Sequence, residues 1–195
     1  MADTVRHHIA SRVIAGGAVL AISIGGVSVY AATASASARR SDQKVAIAQL
    51  RAALTAQQRD ILPAHTVAGI HPSSSDLSAT KVSATALLPR LFTGKALVNE
   101  ERGVNDGLKA LQNPDFQVLD GGVGALDVHS VSGSSTELKM SGTYDNWSKF
   151  SQRVKGHKTI YTPHNLIDFN ATLAKTSGSW KLSDITWKFH PGSEP

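Results

Sequence analysis

Residues 13–32 read Val-Ile-Ala-Gly-Gly-Ala-Val-Leu-Ala-Ile-Ser-Ile-Gly-Gly-Val-Ser-Val-Tyr-Ala-Ala, with no charge, no proline and no long polar side chain. An α-helix needs about 20 such residues to cross the ~30 Å hydrocarbon core of a bilayer. Arg6, His7, His8 and Arg12 precede the run, and the chain beyond residue 40 is polar enough for water. Two fates fit this pattern. One is an uncleaved anchor at Val13–Ala32. The other is a signal peptide removed near Ala38, because Ala34-Ser35-Ala36 and Ala36-Ser37-Ala38 both satisfy the small-residue cleavage rule. Length favours the anchor. Either fate puts the remainder outside the cytoplasm. The expectation is a single-pass cell-membrane protein with a cytoplasmic tail at 1–12 and an extracytoplasmic C-terminal domain. Gly17, Ala21 and Gly25 lie four apart. Such a small-xxx-small stripe lets two membrane helices approach and form a homodimer, although an Ala/Gly-rich span also matches it by chance.

The chain has no cysteine. Disulfides, thiolate zinc sites and cysteine nucleophiles are thereby excluded, and an exported domain must hold together by packing alone. Net charge is +5 with His neutral. The excess is spread thinly, with no Lys/Arg run and no interleaving of aromatics with basic residues. No nucleic acid is expected as partner. Arg39, Arg40 and Lys44 read as an ordinary stop-transfer flank.

Residues 33–63 predict a juxtamembrane helix. Ser41 and Asp42 are good caps, Ile47, Leu50, Leu54, Gln57 and Ile61 follow at 3-4-3-4 spacing, and Pro63 ends it. Two heptads are too few for a coiled coil, so packing on the following domain is expected. Residues 64–76 read as a linker. Ser75 or Asp76 is the expected cap of a second helix that carries Leu77, Ala84, Leu88, Leu91 and Phe92, with Pro89 expected to kink or interrupt it. A third, from about Lys95 to Leu111, presents Leu97, Val98, Val104, Leu108 and Leu111, and stops at Asn113-Pro114.

From Phe116 onward the period changes to two. Four strands are expected, at 123–131, 136–147, 159–175 and 180–190, with hairpin turns at 132–135 and 176–179. In the last strand Trp180 and Leu182 share one parity, whereas Ile185, Trp187 and Phe189 share the other. Both sets face the core only if a β-bulge lies near Ser183-Asp184. The alternative leaves Trp180 capping an edge from the solvent side. Trp187 and Phe189 are expected to be buried by the helices. The fold class is α+β: helices packed on a curved antiparallel sheet of about four strands, occupying residues 77–190, with a tail at 191–195.

Helices first and long curved strands after, closing on Phe169-x-Ala171-x-Leu173 and Gly178-Ser179-Trp180-Lys181-Leu182-Ser183-Asp184, resemble the nuclear transport factor 2-like, or cystatin-like, α+β cone. Joined to an N-terminal membrane helix, such a domain resembles actinobacterial mammalian-cell-entry-associated membrane proteins and scaffold subunits of conjugative secretion. That resemblance implies a non-catalytic scaffold of the cell envelope with protein partners. The same cone also hosts isomerase- and cyclase-type enzymes, which implies the alternative of a small-ligand-binding or catalytic cavity.

For such chemistry the candidates are Asp127, His129, Tyr144, Tyr161, His164 and Asp168. Strand parity turns Asp127, His129, Asp168 and Asn170 to solvent and leaves Tyr144 as the cavity residue. No catalytic residue is assigned, and no metal or cofactor is expected, because His157, His164 and His190 have no partner at ligand spacing. Asn146-Trp147-Ser148 and Asn170-Ala171-Thr172 match the glycosylation pattern by accident in a bacterial chain. Trp147, Phe150, Arg153, Lys155 and Lys158 form an aromatic and basic tip that is the candidate partner-binding edge.

Overall fold

The computed structural model describes residues 34–64 and 70–193, with side chains from residue 39. The run at 13–32, its small-residue stripe and the cleavage motifs lie outside the described residues or their described side chains. No helix among the described residues is long and apolar enough to cross a membrane.

The first helix, α1 (Ala34–Arg59), is sided as its spacing predicts. Ala46, Leu50, Ala53, Leu54 and Ala56 are buried in the same core as the sheet. The core therefore extends N-terminal of residue 77. Two side chains fix the helix across the sheet. Lys175 Nζ donates to the Asp42 carboxylate at 3.1 Å, and Arg51 donates to the Gly124 carbonyl.

Helix α2 (Ser74–Leu91) is capped by Ser73, two residues before the nearer of the two expected caps. The Ser73 hydroxyl accepts from the Asp76 N–H, and the Ser73 N–H donates to the Asp76 carboxylate, a reciprocal capping box. Pro89 does not interrupt the helix. It falls in the last turn, where it removes one ladder donor but has only two helical residues beyond it to displace, and Phe92 closes the end with its N–H donating to Leu88 O at 2.8 Å. Helix α3 (Gly94–Ala110) buries Ala96, Glu100, Val104 and Leu108.

Five strands follow among the described residues: β1 (Phe116–Gly133), β2 (Glu137–Val154), β3 (His157–Tyr161), β4 (His164–Thr176) and β5 (Ser179–Phe189). The sheet order is β1-β2-β4-β5, with β3 continuing the β4 side along β2. The expected third strand is thus two strands, separated at Thr162-Pro163. Pro163 has no N–H to give a ladder, so pairing lapses there and resumes at His164↔Trp147. The first two strands are also much longer than expected. The β4–β5 turn has Ser177 at φ 51° and Gly178 at φ 80°, the left-handed pair that a two-residue hairpin requires.

The bulge in β5 is present. Thr172 pairs Asp184 and Leu173 pairs Leu182, so Ser183 is the extra residue, and its hydroxyl donates to Thr172 O at 2.9 Å. Further register shifts in β1 bend the opposite edge. The bulge turns Trp180 and Leu182 inward, at 2% and 0% exposure, and removes the edge-capping alternative for Trp180. Ile185, Trp187 and Phe189 pair with buried Ala171, Phe169 and Ile167, and so share the core face as parity predicts. They are nevertheless only half-buried, contrary to the expectation of full burial. Trp187 and Phe189 pack edge to face on each other at 5.7 Å and lie against the margin of the core.

Candidate functional site

Large apolar side chains among the described residues pack the space between helices and sheet. Phe92, Phe169, Trp180, Leu50, Leu54, Leu88, Ile167, Leu173 and Leu182 are each at most 2% exposed. Within this apolar interior lies a small polar group. Glu100, at an inward position of α3, is 8% exposed and accepts from the Gln57 side-chain amide of α1 at 2.7 Å. Tyr144, on the inner face of β2, is 3% exposed, and its ring packs on Phe169 at 6.0 Å. Burial, reinforced by the Glu100 carboxylate, pushes the Tyr144 phenol well above its ordinary pKa. Asn146, two residues on and therefore on the same face, is 3% exposed. Its Oδ1 has no hydrogen-bond partner among the described residues.

Tyr144 is thus the inward residue that strand parity predicts. Glu100, Gln57 and Asn146 escape a sequence reading. A glutamate among Asn99, Glu101 and Arg102 looks like part of a solvated helix face. Only its spacing from Ala96 and Val104, one turn to either side, marks the position as inward.

Asp127, His129, His164 and Asp168 lie on the other face of the sheet, whereas Tyr161 is the cross-strand partner of Phe150 and shares its face. Asp127 and His129 are exposed and 3.5 Å apart. An Asp168 carboxylate oxygen lies 2.8 Å from His190 Nδ1 and accepts from it when that nitrogen carries its proton, and the other oxygen lies 3.8 Å from Lys188 Nζ. His164 stands 3.5 Å from Asp145 and stacks on Trp147. These pairs brace a wet sheet face. Among the described residues no group of His and carboxylates is placed to hold a metal ion.

The five residues of the tip do not form one surface. Trp147 and Phe150 are three apart on one strand and so point to opposite faces. Trp147 stacks on His164, whereas Phe150 stacks on Tyr161 at 5.3 Å and tilts against buried Phe116 at 5.7 Å. Lys155 occupies the β2–β3 turn at φ 50°. Arg153 and Lys158 are direct cross-strand partners, and both line a shallow depression.

No family model and no curated protein matches the chain. Among solved structures it is similar to the intermembrane space region of the chloroplast protein ARC6, at 14% identity over 80% of this chain and 96% of that chain, with a TM-score of 0.44. It is similar to a periplasmic fragment of TraM, at 14% identity over 76% and 98%, with a TM-score of 0.42. It is also similar to an NTF2-like protein with a cystatin-like fold from Novosphingobium aromaticivorans, at 12% identity over 84% and 94%, with a TM-score of 0.40. The described residues themselves define an α+β domain with helices on one face of an antiparallel sheet.

Proposed function

We propose that this chain is a membrane-anchored, extracytoplasmic scaffold of the bacterial cell envelope. Its outer domain is a nuclear transport factor 2-like cone that recruits protein partners without catalysing a reaction. The observation that carries this reading is the occupied interior. An enzyme of this architecture needs room for substrate between helices and sheet, and here Phe92, Phe169, Trp180 and Leu182 take that room. The uncharged run at 13–32 supports the anchor, the closing motif at 169–184 supports the cone, and the joining of the two supports the likeness to mammalian-cell-entry-associated membrane proteins. The exposed face of the sheet and the β2–β3 end are the surfaces left for partners.

Tyr144, Glu100 and the unpartnered Asn146 oxygen favour a second reading, in which the interior opens to bind a small polar ligand. The two readings separate in one experiment. A Tyr144→Phe/Glu100→Gln chain keeps the shape of the interior and removes its ionisable groups. Expressed in cells deleted for this protein, it restores the wild-type phenotype if the domain is a scaffold. Loss of function with an unchanged melting temperature would establish the ligand-binding or enzymatic reading instead.

A further inference from the structure

The depression beside the β2–β3 end gathers unlike groups from three strands and the preceding loop. Asp115 comes from the turn before β1, Gln117 from β1, Ser151 and Arg153 from β2, Lys158 from β3, and His71 from the segment before α2. Its volume, counted as space open to water centres, is about 50 Å³. One water takes about 10–15 Å³ on that count, so a single small polyatomic ion fits.

Two features of the lining point to an anion. Arg153 and Lys158 face each other directly across the β2–β3 ladder. Like charges at opposed positions destabilise a strand pair unless something between them carries the opposite sign. Asp115 answers this only in part. Its carboxylate stands 3.6 Å from Arg153 Nε, beyond hydrogen-bond length, and the Arg153 side chain makes no other polar contact among the described residues. Lys158 has no ion-pair or hydrogen-bond partner among the described residues. The second feature is the floor. Ser151 is 4% exposed, lines the depression, and its hydroxyl has no hydrogen-bond partner among the described residues. Gln117, 2% exposed, is held in place by donating to Ile70 O at 2.8 Å and closes the floor beside it.

We propose that this depression binds one phosphate group. Arg153, Lys158 and Ser151, which carry a guanidinium, an ammonium and a hydroxyl, line one small volume, which suits a tetrahedral anion with four oxygens. The four oxygens of phosphate meet donors arriving from different directions, whereas the two oxygens of a carboxylate lie in one plane. Asp115 opposes the ligand and holds the empty site together. The phosphate is either a free ion or the diester of a lipid headgroup, and the chemistry of recognition is shared.

The test is the melting temperature of the full chain in dodecyl maltoside micelles, at constant ionic strength. Sodium chloride is exchanged for inorganic phosphate, for glycerophosphoglycerol, or for acetate. Phosphate or the diester is expected to raise the melting temperature saturably, and acetate is not. Arg153→Gln and Lys158→Gln each weaken the apparent affinity by about tenfold, and Asp115→Asn strengthens it. A tighter response to the diester identifies the lipid headgroup as source, and a tighter response to inorganic phosphate identifies the free ion. An equal response to acetate, a response unchanged in Arg153→Gln and Lys158→Gln, or no response overturns the proposal.

Discussion

Gln57 on the first helix donates its side-chain amide to the Glu100 carboxylate on the third helix, across 2.7 Å, inside the core of the domain. A buried acceptor of this kind is tolerated because the amide replaces the water it has lost. Gln57→Ala removes that donor and is expected to cost about 1.5–3 kcal/mol, the usual range for a hydrogen bond to a charged group. Glu100→Gln keeps an acceptor oxygen in place and is expected to cost less than ~1 kcal/mol. Urea melts of the two variants check this. Equal losses would show that the contact adds nothing beyond packing.

Tyr144 makes stability depend on pH in a known direction. Its phenol is pushed above the ordinary value of 10.0 in the folded chain. Unfolded tyrosine ionises near 10, so above that pH the folded state holds a proton that the unfolded state has released. Tyr144 therefore contributes its full share below about pH 10, and that share declines as pH rises further. Tyr144→Phe is expected to lessen the fall in stability above pH 10. Absorbance titration at 295 nm is expected to show Tyr144 ionising only as the protein unfolds. A folded protein whose three tyrosines all titrate near 10 would contradict this.

The two tryptophans of β5 are expected to differ in weight. Trp180 is 2% exposed, whereas Trp187 is half-buried. Trp180→Ala is expected to cost about 3–5 kcal/mol, and Trp187→Ala about half as much. The whole domain is worth only about 5–15 kcal/mol. Trp180→Ala is therefore expected to be partly unfolded at 37 °C while Trp187→Ala stays folded. Thermal melts that rank them the other way would contradict the assignment of the inner face.

Ser183 is the residue that lets both halves of β5 face inward. Deleting it restores simple alternation, so either Trp180 and Leu182 or Ile185, Trp187 and Phe189 must turn to water. Each alternative exposes several large apolar groups, worth about 1.5–3 kcal/mol apiece. The deletion is expected to abolish cooperative unfolding, whereas Ser183→Ala, which loses only the bond to Thr172, is expected to cost about 1 kcal/mol. A Ser183 deletion that melts like its parent would remove the bulge from the account.

What was legible in the sequence was periodicity, and what was not was cover. Leu50 and Leu54 announced the inward side of α1, but Ala46, Ala53 and Ala56 carry as much of the contact and alanine gives little pattern. The bulge at Ser183 was readable because two sets of large side chains disagreed in parity. The parity of Trp187 and Phe189 was readable too, yet parity names a face and does not say whether a helix lies over it. The first half of β1 was hidden because Phe116, Gln117 and Val118 are buried on both faces and Gly121-Gly122 breaks the alternation. The tip failed as one surface for the same reason the strands succeeded: Trp147 and Phe150 differ by an odd number of residues. The depression at Arg153 and Lys158 required the β2–β3 register, which brings residues of separate strands together in a way no local pattern encodes.

The account rests most heavily on where the domain sits. Membranes from cells making the full chain, extracted with alkaline carbonate, are expected to retain it in the pellet. Protease added to the outside of spheroplasts is expected to digest the domain after residue 40 while leaving cytoplasmic markers intact. A soluble product beginning at Arg39 would establish export with cleavage rather than anchoring, and a domain shielded from external protease in intact spheroplasts would contradict the extracytoplasmic scaffold outright.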